Sequence, residues 1–292
     1  MMNTLTITGL NKTYSNGTKA IDHISLSVEN GMFGLLGPNG AGKSSLMKTI
    51  AGLQAADSGE VRFNGVDILT DKRFIQKQLG FLPQDFGVYP KVSAYDLLNH
   101  IALLKGVSDT AKRKHQVMSL LEHVNLYADR NKEVHTFSGG MRQRFGIAQA
   151  LLGNPQVILV DEPTAGLDPE ERNRFNLLLS ALSKDIIVFL STHLVDDVHQ
   201  LCPQMAIINK GKLVASGAPA QLVRKLTGKV WTRFINVQDL EIYQSRFDLI
   251  SYRFTEGNLF IVVYATSQPE GFVSLPPTLE HFYFHQLKNI KQ

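Results

Sequence analysis

Apolar and polar positions alternate in two short bursts near the start of the chain, Leu5 with Ile7 and Ile24 with Leu26 and Val28, either side of the polar turn Ser15-Asn16-Gly17. A period of two puts every second side chain on one face, so the pattern predicts an antiparallel β start. Met32 to Leu36 is instead a continuous apolar run entering a glycine-rich stretch, and beyond Lys43 the residues Leu46, Met47 and Ile50 recur at helical spacing. The local order is strand, loop, helix. From Ser93 to about Asn125 the period is helical: Ser93-Ala94-Tyr95-Asp96 has the form of a cap, followed by Leu97, Leu98, Ile101 and Leu104, then Val117, Leu120, Leu121 and Val124. This predicts a helical insert, over about residues 85–155, between two α/β halves.

Val157 to Val160 and Ile186 to Leu190 are unbroken apolar runs, and between them Asp168-Pro169-Glu170-Glu171 opens a helix with cap, proline and acidic first turn. Apolar runs alternating with helices indicate a buried parallel sheet. Ala206-Ile207-Ile208, the turn Asn209-Lys210-Gly211-Lys212 and Leu213-Val214-Ala215 read as a hairpin. The main domain is expected to span residues 1–227 and a small α+β appendage residues 228–292. In that appendage Val230 to Val237 and Leu249 to Tyr264 read as strands, the second folded at Glu256-Gly257-Asn258, and Thr278 to Ile290 as a closing helix.

Composition narrows the function classes. With 292 residues, 43% of them hydrophobic, the chain can bury a core for one large and one small domain. Thirty basic residues against 26 acidic give a net charge of +4, a mixed surface rather than a nucleic-acid stripe. The single cysteine, Cys202, has no second cysteine to pair with and fits a reducing cytoplasm. The first ten residues lack the pattern of a signal peptide, and no apolar run reaches the roughly 18 residues of a spanning helix. A role at a membrane would be exercised from its side.

The chemistry begins with Gly37, Pro38, Asn39, Gly40, Ala41, Gly42, Lys43 and Ser44. Glycines there let backbone N–H groups curl round phosphate oxygens, and the following helix points its positive end at them. Lys43 is expected to neutralise the β and γ phosphates and Ser44 to offer its hydroxyl to Mg²⁺. Asp161 and Glu162 close an apolar strand at the edge where ligands of open α/β folds collect. Asp161 suits a Mg²⁺ ligand through water, and Glu162 suits the base that polarises the attacking water, although both also suit a turn before Pro163. A second anion site is expected at Ser138, Gly139 and Gly140, which precede a helical run to Leu151; read alone, Ser138 is an ordinary N-cap. One nucleotide does not need two such sites, but a two-fold dimer sets each chain's second site against the other's ATP.

Taken together, G-P-N-G-A-G-K-S-S ending in Ser45, F-L-P-Q ending in Gln84, F-S-G-G-M-R-Q-R, I-L-V-D-E-P, A-G-L-D-P and S-T-H, in that order, resemble the nucleotide-binding domain of ABC transporters from about Leu5 to Thr227. The resemblance implies a P-loop NTPase core of the ABC type: a mixed sheet, an antiparallel β subdomain and a helical subdomain. It implies ATP and Mg²⁺ as ligands, with Lys43 and Ser44 in Walker A, Asp161 in Walker B and Glu162 as the catalytic carboxylate. It makes Gln84 the Q-loop glutamine, near Mg²⁺ and the attacking water. Ser138, Gly139 and Gly140 become the signature that closes over the partner's γ-phosphate. Asp168 falls in the D-loop at the dimer seam, His193 is the switch histidine, and Tyr14 stacks on adenine.

Phe137 and Met141 depart from the common signature but spare its serine and glycines. The implied partners are a transmembrane permease and a second ATP-binding subunit, in a homodimer or heterodimer, at the cytoplasmic face of the membrane. Pro277-Thr278-Leu279-Glu280-His281-Phe282 resembles the ending of bacterial ABC-2-type export subunits and favours export. Two other readings are open at this point. One is a soluble ABC-type ATPase acting on nucleic acid or ribosomes, whose long coiled coil or second cassette the chain lacks. The other is a binding module that holds ATP without turnover.

Overall fold

The computed structural model describes residues 2–84, 86–87, 90–255 and 257–289. The expected start of the insert at Asp85, the fold-back residue Glu256 and the expected helix end at Ile290 lie outside the described residues. The chain opens with β1 (Thr4–Thr13), β2 (Lys19–Glu29) and β3 (Gly31–Leu36), passes to α1 (Lys43–Ile50), and continues through β4 (Ser58–Phe63), β5 (Val66–Asp67), α2 (Lys72–Gln78) and β6 (Leu79–Leu82). Helices α3 (Ala94–Leu104), α4 (Thr110–His123) and α5 (Gly139–Leu151) form the helical insert. The chain then alternates β7 (Val157–Asp161), α6 (Pro169–Leu182), β8 (Ile187–Thr192), α7 (Val195–Leu201), β9 (Gln204–Asn209), β10 (Lys212–Gly217) and α8 (Pro219–Arg224). It closes with β11 (Val230–Ile235), α9 (Leu240–Arg246), β12 (Asp248–Thr255), β13 (Asn258–Tyr264), β14 (Val273–Ser274) and α10 (Leu279–Asn289).

Three sheets result, ordered β2-β1-β4-β5, β10-β9-β3-β8-β7-β6 and β12-β13-β11-β14. The first and third are antiparallel. The central sheet is parallel except at β10, which returns antiparallel to β9 across the expected turn. β7 and β8 are buried along their whole length, which is why their sequences are continuous apolar runs instead of alternating ones.

One apolar cluster fills the space between the first sheet, α1 and the central sheet, with Leu5, Ile7, Leu46, Met47, Phe63 and Phe189 in it. The Phe33 and Phe189 rings lie 5.1 Å apart across β3 and β8. A second cluster covers the other face, beneath the insert and α6 to α8, and runs on into Val230, Ile250, Val262, Leu279, Phe282 and Tyr283 of the appendage. The appendage sheet keeps a smaller cluster of its own around Ile235, Leu259, Ile261 and Phe272.

The structure departs from the sequence expectation at a few elements. The strand read to Val237 stops at Ile235 and passes into a short helical turn over Val237–Asp239. Leu104, one of the apolar positions of α3, is 73% exposed. Helices α2, α7, α8 and α9 and strands β4, β5, β6 and β14 have no counterpart in the expected pattern; the four helices have only six or seven residues each, and in α2 and α9 only Ile75 is buried.

Candidate active site

Three neighbouring parallel strands end in one line. Leu36 of β3 stands opposite Thr192 of β8, and Asp161 of β7 opposite Ser191. The loops that follow, from Gly37, Glu162 and His193, therefore leave the sheet side by side, at the edge where open α/β sheets bind ligands. Backbone bonds hold them together: Gly37 N donates to Thr192 O at 3.3 Å and Glu162 N to Ser191 O at 2.9 Å.

The first loop wraps the start of α1. Gly42 occupies the N-cap with φ 105°, a left-handed conformation, and a Cβ there would collide with the Ala20 carbonyl oxygen. Lys43 follows as the first helical residue and is 4% exposed. Its ammonium donates to Gly37 O at 2.8 Å and Pro38 O at 3.2 Å, and pairs with Glu162 Oε1 at 3.0 Å. Glu162 itself has φ 47°, the left-handed region that few non-glycine residues occupy. Such strain persists where the surroundings over-determine it, and here it turns the carboxylate out of the strand direction toward Lys43.

The other oxygen of Glu162 lies 2.9 Å from His193 Nδ1. An ionised carboxylate only accepts, so this ring nitrogen carries the hydrogen and donates it. Lys43, Glu162 and His193 thus form a chain of three polar groups. Beside it Asp161, 3% exposed, accepts from Ser191 Oγ at 2.7 Å.

A cleft of about 550 Å³ opens over Lys43 and Glu162, lined also by Tyr14, Asn39 to Gly42, Ser44, Ser45, Gln84 and Lys210 among others; His193 lines a neighbouring cavity with Asn39, and Asp161 lines neither. The phenol of Tyr14 is anchored to Ser45 Oγ and Gln54 Oε1, each at 2.9 Å, which leaves its ring 39% exposed at the rim. The cleft joins main-chain N–H groups at a helix start, one buried ammonium and a flat aromatic face, a set that suits a nucleoside triphosphate. Ser44 and Asp161 supply hard oxygen donors and Gln84 an amide oxygen, the ligand chemistry of Mg²⁺. Among the described residues no group of three or more His, Cys, Asp or Glu is placed to hold a metal.

Ser138, Gly139, Gly140 and Asp168 do not line that cleft. Ser138 caps α5, its Oγ accepting from Met141 N at 3.2 Å, and both Ser138 and Gly139 are exposed. Asp168 caps α6, accepting from Glu171 N at 2.8 Å. The two helix starts are joined by an ion pair between Arg144 and Glu171, and the Glu171 carboxylate lies where a Cβ on Gly140 would go.

Sequence reasoning missed the Ser191 partner of Asp161, although it sits inside the S-T-H motif. It also missed Asp197, 1% exposed, which accepts from Thr164 Oγ1 at 2.8 Å and from Arg172 Nε at 2.7 Å. No spacing rule marks a carboxylate whose donors lie 25 and 33 positions away.

Comparison with known proteins follows the same lines. The sequence profile described as ABC transporter matches residues 21–165. The linearmycin resistance ATP-binding protein LnrL of Bacillus subtilis is 34% identical over 221 residues, 75% of this chain and 70% of that protein. The Nod factor export ATP-binding protein I of Rhizobium etli is 35% identical over 230 residues, 78% of this chain and 72% of its own. ABC transporter A family member 8 of Dictyostelium discoideum is 32% identical over 243 residues, but the chain spans only 29% of its length. Among solved structures, an ATP-binding subunit of an ABC transporter superposes with a TM-score of 0.68 at 25% identity, over 76% of this chain and 93% of that one.

Proposed function

The chain belongs to the ABC transporter family as an ATP-binding and ATP-hydrolysing subunit, and from that premise we propose that it powers export through a separate transmembrane permease. In this reading residues 1–227 form the motor and residues 228–292 an accessory domain. The observation that carries it is the Lys43–Glu162–His193 chain at the mouth of the phosphate loop.

The triphosphate enters at the start of α1 and takes over the Lys43 ammonium, which frees Glu162 from its ion pair. Asn39 to Ser45 hold the phosphates through backbone and side-chain donors, and Tyr14 offers its ring to adenine. Ser44, Asp161 and Gln84 would hold Mg²⁺, which when bound offsets charge on the phosphate oxygens. Glu162 polarises a water, whose oxygen bonds to the γ-phosphorus as the bond to the β–γ bridging oxygen breaks; the proton passes to the carboxylate. His193, oriented through Nδ1, presents its other ring nitrogen toward the γ-phosphate.

Ser138, Gly139, Gly140 and Asp168 serve a second copy or a related subunit. Ser138 and Gly139 are open to solvent and do not line their own chain's cleft, as suits a signature that closes on the partner's nucleotide. Export, in preference to import, is supported by relatives named for export and resistance and by the Pro277–Phe282 ending. No helix among the described residues is long and apolar enough to cross a membrane, so a permease on another chain fits. The working place is then the cytoplasmic face of the membrane.

The test is Mg²⁺-dependent phosphate release by the purified chain, together with recovery of its partner from detergent extracts. A multi-spanning membrane protein is the expected companion. Recovery with ribosomes or nucleic acid would overturn the transport reading.

A further inference from the structure

The closing helix of the appendage reaches the loop that carries His193. Helix α7 begins two residues after this histidine and is seven residues long, too short to hold its own position without packing. Leu194 at its N-cap supplies no side-chain cap. Its placement is therefore set by what it packs on, β3 and β8 beneath it and its two flanks. On one side Asp197 ties it to Thr164 and Arg172. On the other α10 lies against both α7 and α8. Val198 and Cys202 face Gly34 of β3, and the buried cluster they belong to runs on through Leu222 and Leu226 to Phe282 and Tyr283. Where α10 meets the loop, a cavity of about 470 Å³ is walled by Asn39, His193 and Val195 from the motor and by Glu280, Tyr283 and Phe284 from the appendage.

We propose that Tyr283 is a positioning residue for ATP hydrolysis: from α10 it braces α7 and thereby fixes His193 beside Glu162. This rests on the reading of His193 given above. Tyr283 touches no substrate. Its ring is 5% exposed and stands one turn beyond Leu279, which is 2% exposed, so the two form a single apolar ridge on α10 facing the cassette. Removing the ring opens a void behind α7, and the helix relaxes toward it with His193 in tow. The 2.9 Å contact between His193 and Glu162 has little slack, because such bonds weaken beyond about 3.2 Å.

The experiment compares ATP hydrolysis by the full chain, as kcat and KM, for the parent, Tyr283→Ala, Tyr283→Phe and Tyr283→Leu, each with and without His193→Ala. Misplacing a positioned group by about 1 Å costs up to about 10²-fold, and a partial relaxation here predicts a kcat loss of about ten-fold with KM within about two-fold. Tyr283→Phe should restore kcat, since the ring and not the hydroxyl is the brace. In the His193→Ala background Tyr283→Ala should have no further effect on the residual rate, because the group it positions is gone.

A folded Tyr283→Ala chain with parental kcat, or an effect that persists undiminished without His193, overturns the proposal. Should the alanine variant fail to fold, Tyr283→Leu keeps most of the buried volume and carries the same comparison. A parent chain that hydrolyses no ATP would overturn the motor reading itself, so the two failures are told apart.

Discussion

Replacing Glu162 by glutamine keeps the shape of the site and removes one negative charge from between Lys43 and His193. Two opposite effects follow. Without nucleotide, the buried Lys43 ammonium loses its only charged partner within reach among the described residues, at 3.0 Å. Breaking a fully buried ion pair costs about 3–5 kcal/mol. Lys43 keeps its bonds to Gly37 O and Pro38 O, so the loss should be nearer about 1–2 kcal/mol, a fall of a few degrees in melting temperature. With nucleotide the sign reverses. In the parent the triphosphate must draw Lys43 away from Glu162, and in the variant it need not, so ATP should bind about ten-fold tighter for each ~1.4 kcal/mol of competition removed.

Hydrolysis, in contrast, should fall by about 10²- to 10⁴-fold, the range for a general base. Isothermal titration with ATP, thermal melts with and without ATP, and a phosphate-release assay measure the three quantities. A variant that hydrolyses ATP within a factor of a few of the parent would remove Glu162 from the mechanism. Unchanged ATP affinity would show that the Lys43–Glu162 pair does not compete with phosphate.

Other perturbations have equally definite outcomes. Asp197→Ala strips Thr164 and Arg172 of a buried acceptor; with Arg172 still partly in solvent, about 2–4 kcal/mol of stability should be lost, read as a denaturant midpoint shift at constant m. Gly140→Ala would displace the Glu171 carboxylate from its place beside Arg144. Because a flexible side chain can yield, the melting temperature should change by only about 1 kcal/mol equivalent while nucleotide-driven dimerisation, followed by sedimentation, is impaired. Burial pushes the Cys202 thiol up to about 12, helped by the Asp197 charge, and burial pushes the Tyr283 phenol up to about 12. The unfolded chain ionises first at both positions, so their contribution to stability is intact below about pH 9 and is lost between about pH 9 and 12; a flat melting profile across that window would contradict their burial.

The parts of the fold that were legible in sequence are those whose cause is local. Val157 to Val160 announces a strand buried on both faces, and Asp168-Pro169 announces a helix start whose cap is indeed made by the Asp168 side chain. The glycine-rich turn before α1 is legible because its glycines answer steric demands within a few residues, as at Gly42. Pairing across the chain was not legible. That Asp161 meets Ser191, that Glu162 meets His193, and that Arg144 meets Glu171 depends on strand register and helix packing, which no short window encodes. Helix α9 was hidden for a different reason: with none of its residues fully buried, it lacks the one-sided apolar stripe from which a helix is recognised.

The apolar cluster that crosses from the cassette into the appendage has a practical corollary. Cutting the chain after Thr227 would not release a self-contained cassette, because the buried cluster that holds Leu222 and Leu226 would lose Leu279, Phe282 and Tyr283. Grafting a tail from a relative onto this cassette would meet the same seam, and would succeed only if the donor brought side chains of matching volume. The two halves are bound to vary in concert, so substitutions tolerated on one bank of the seam are to be sought as paired changes on the other.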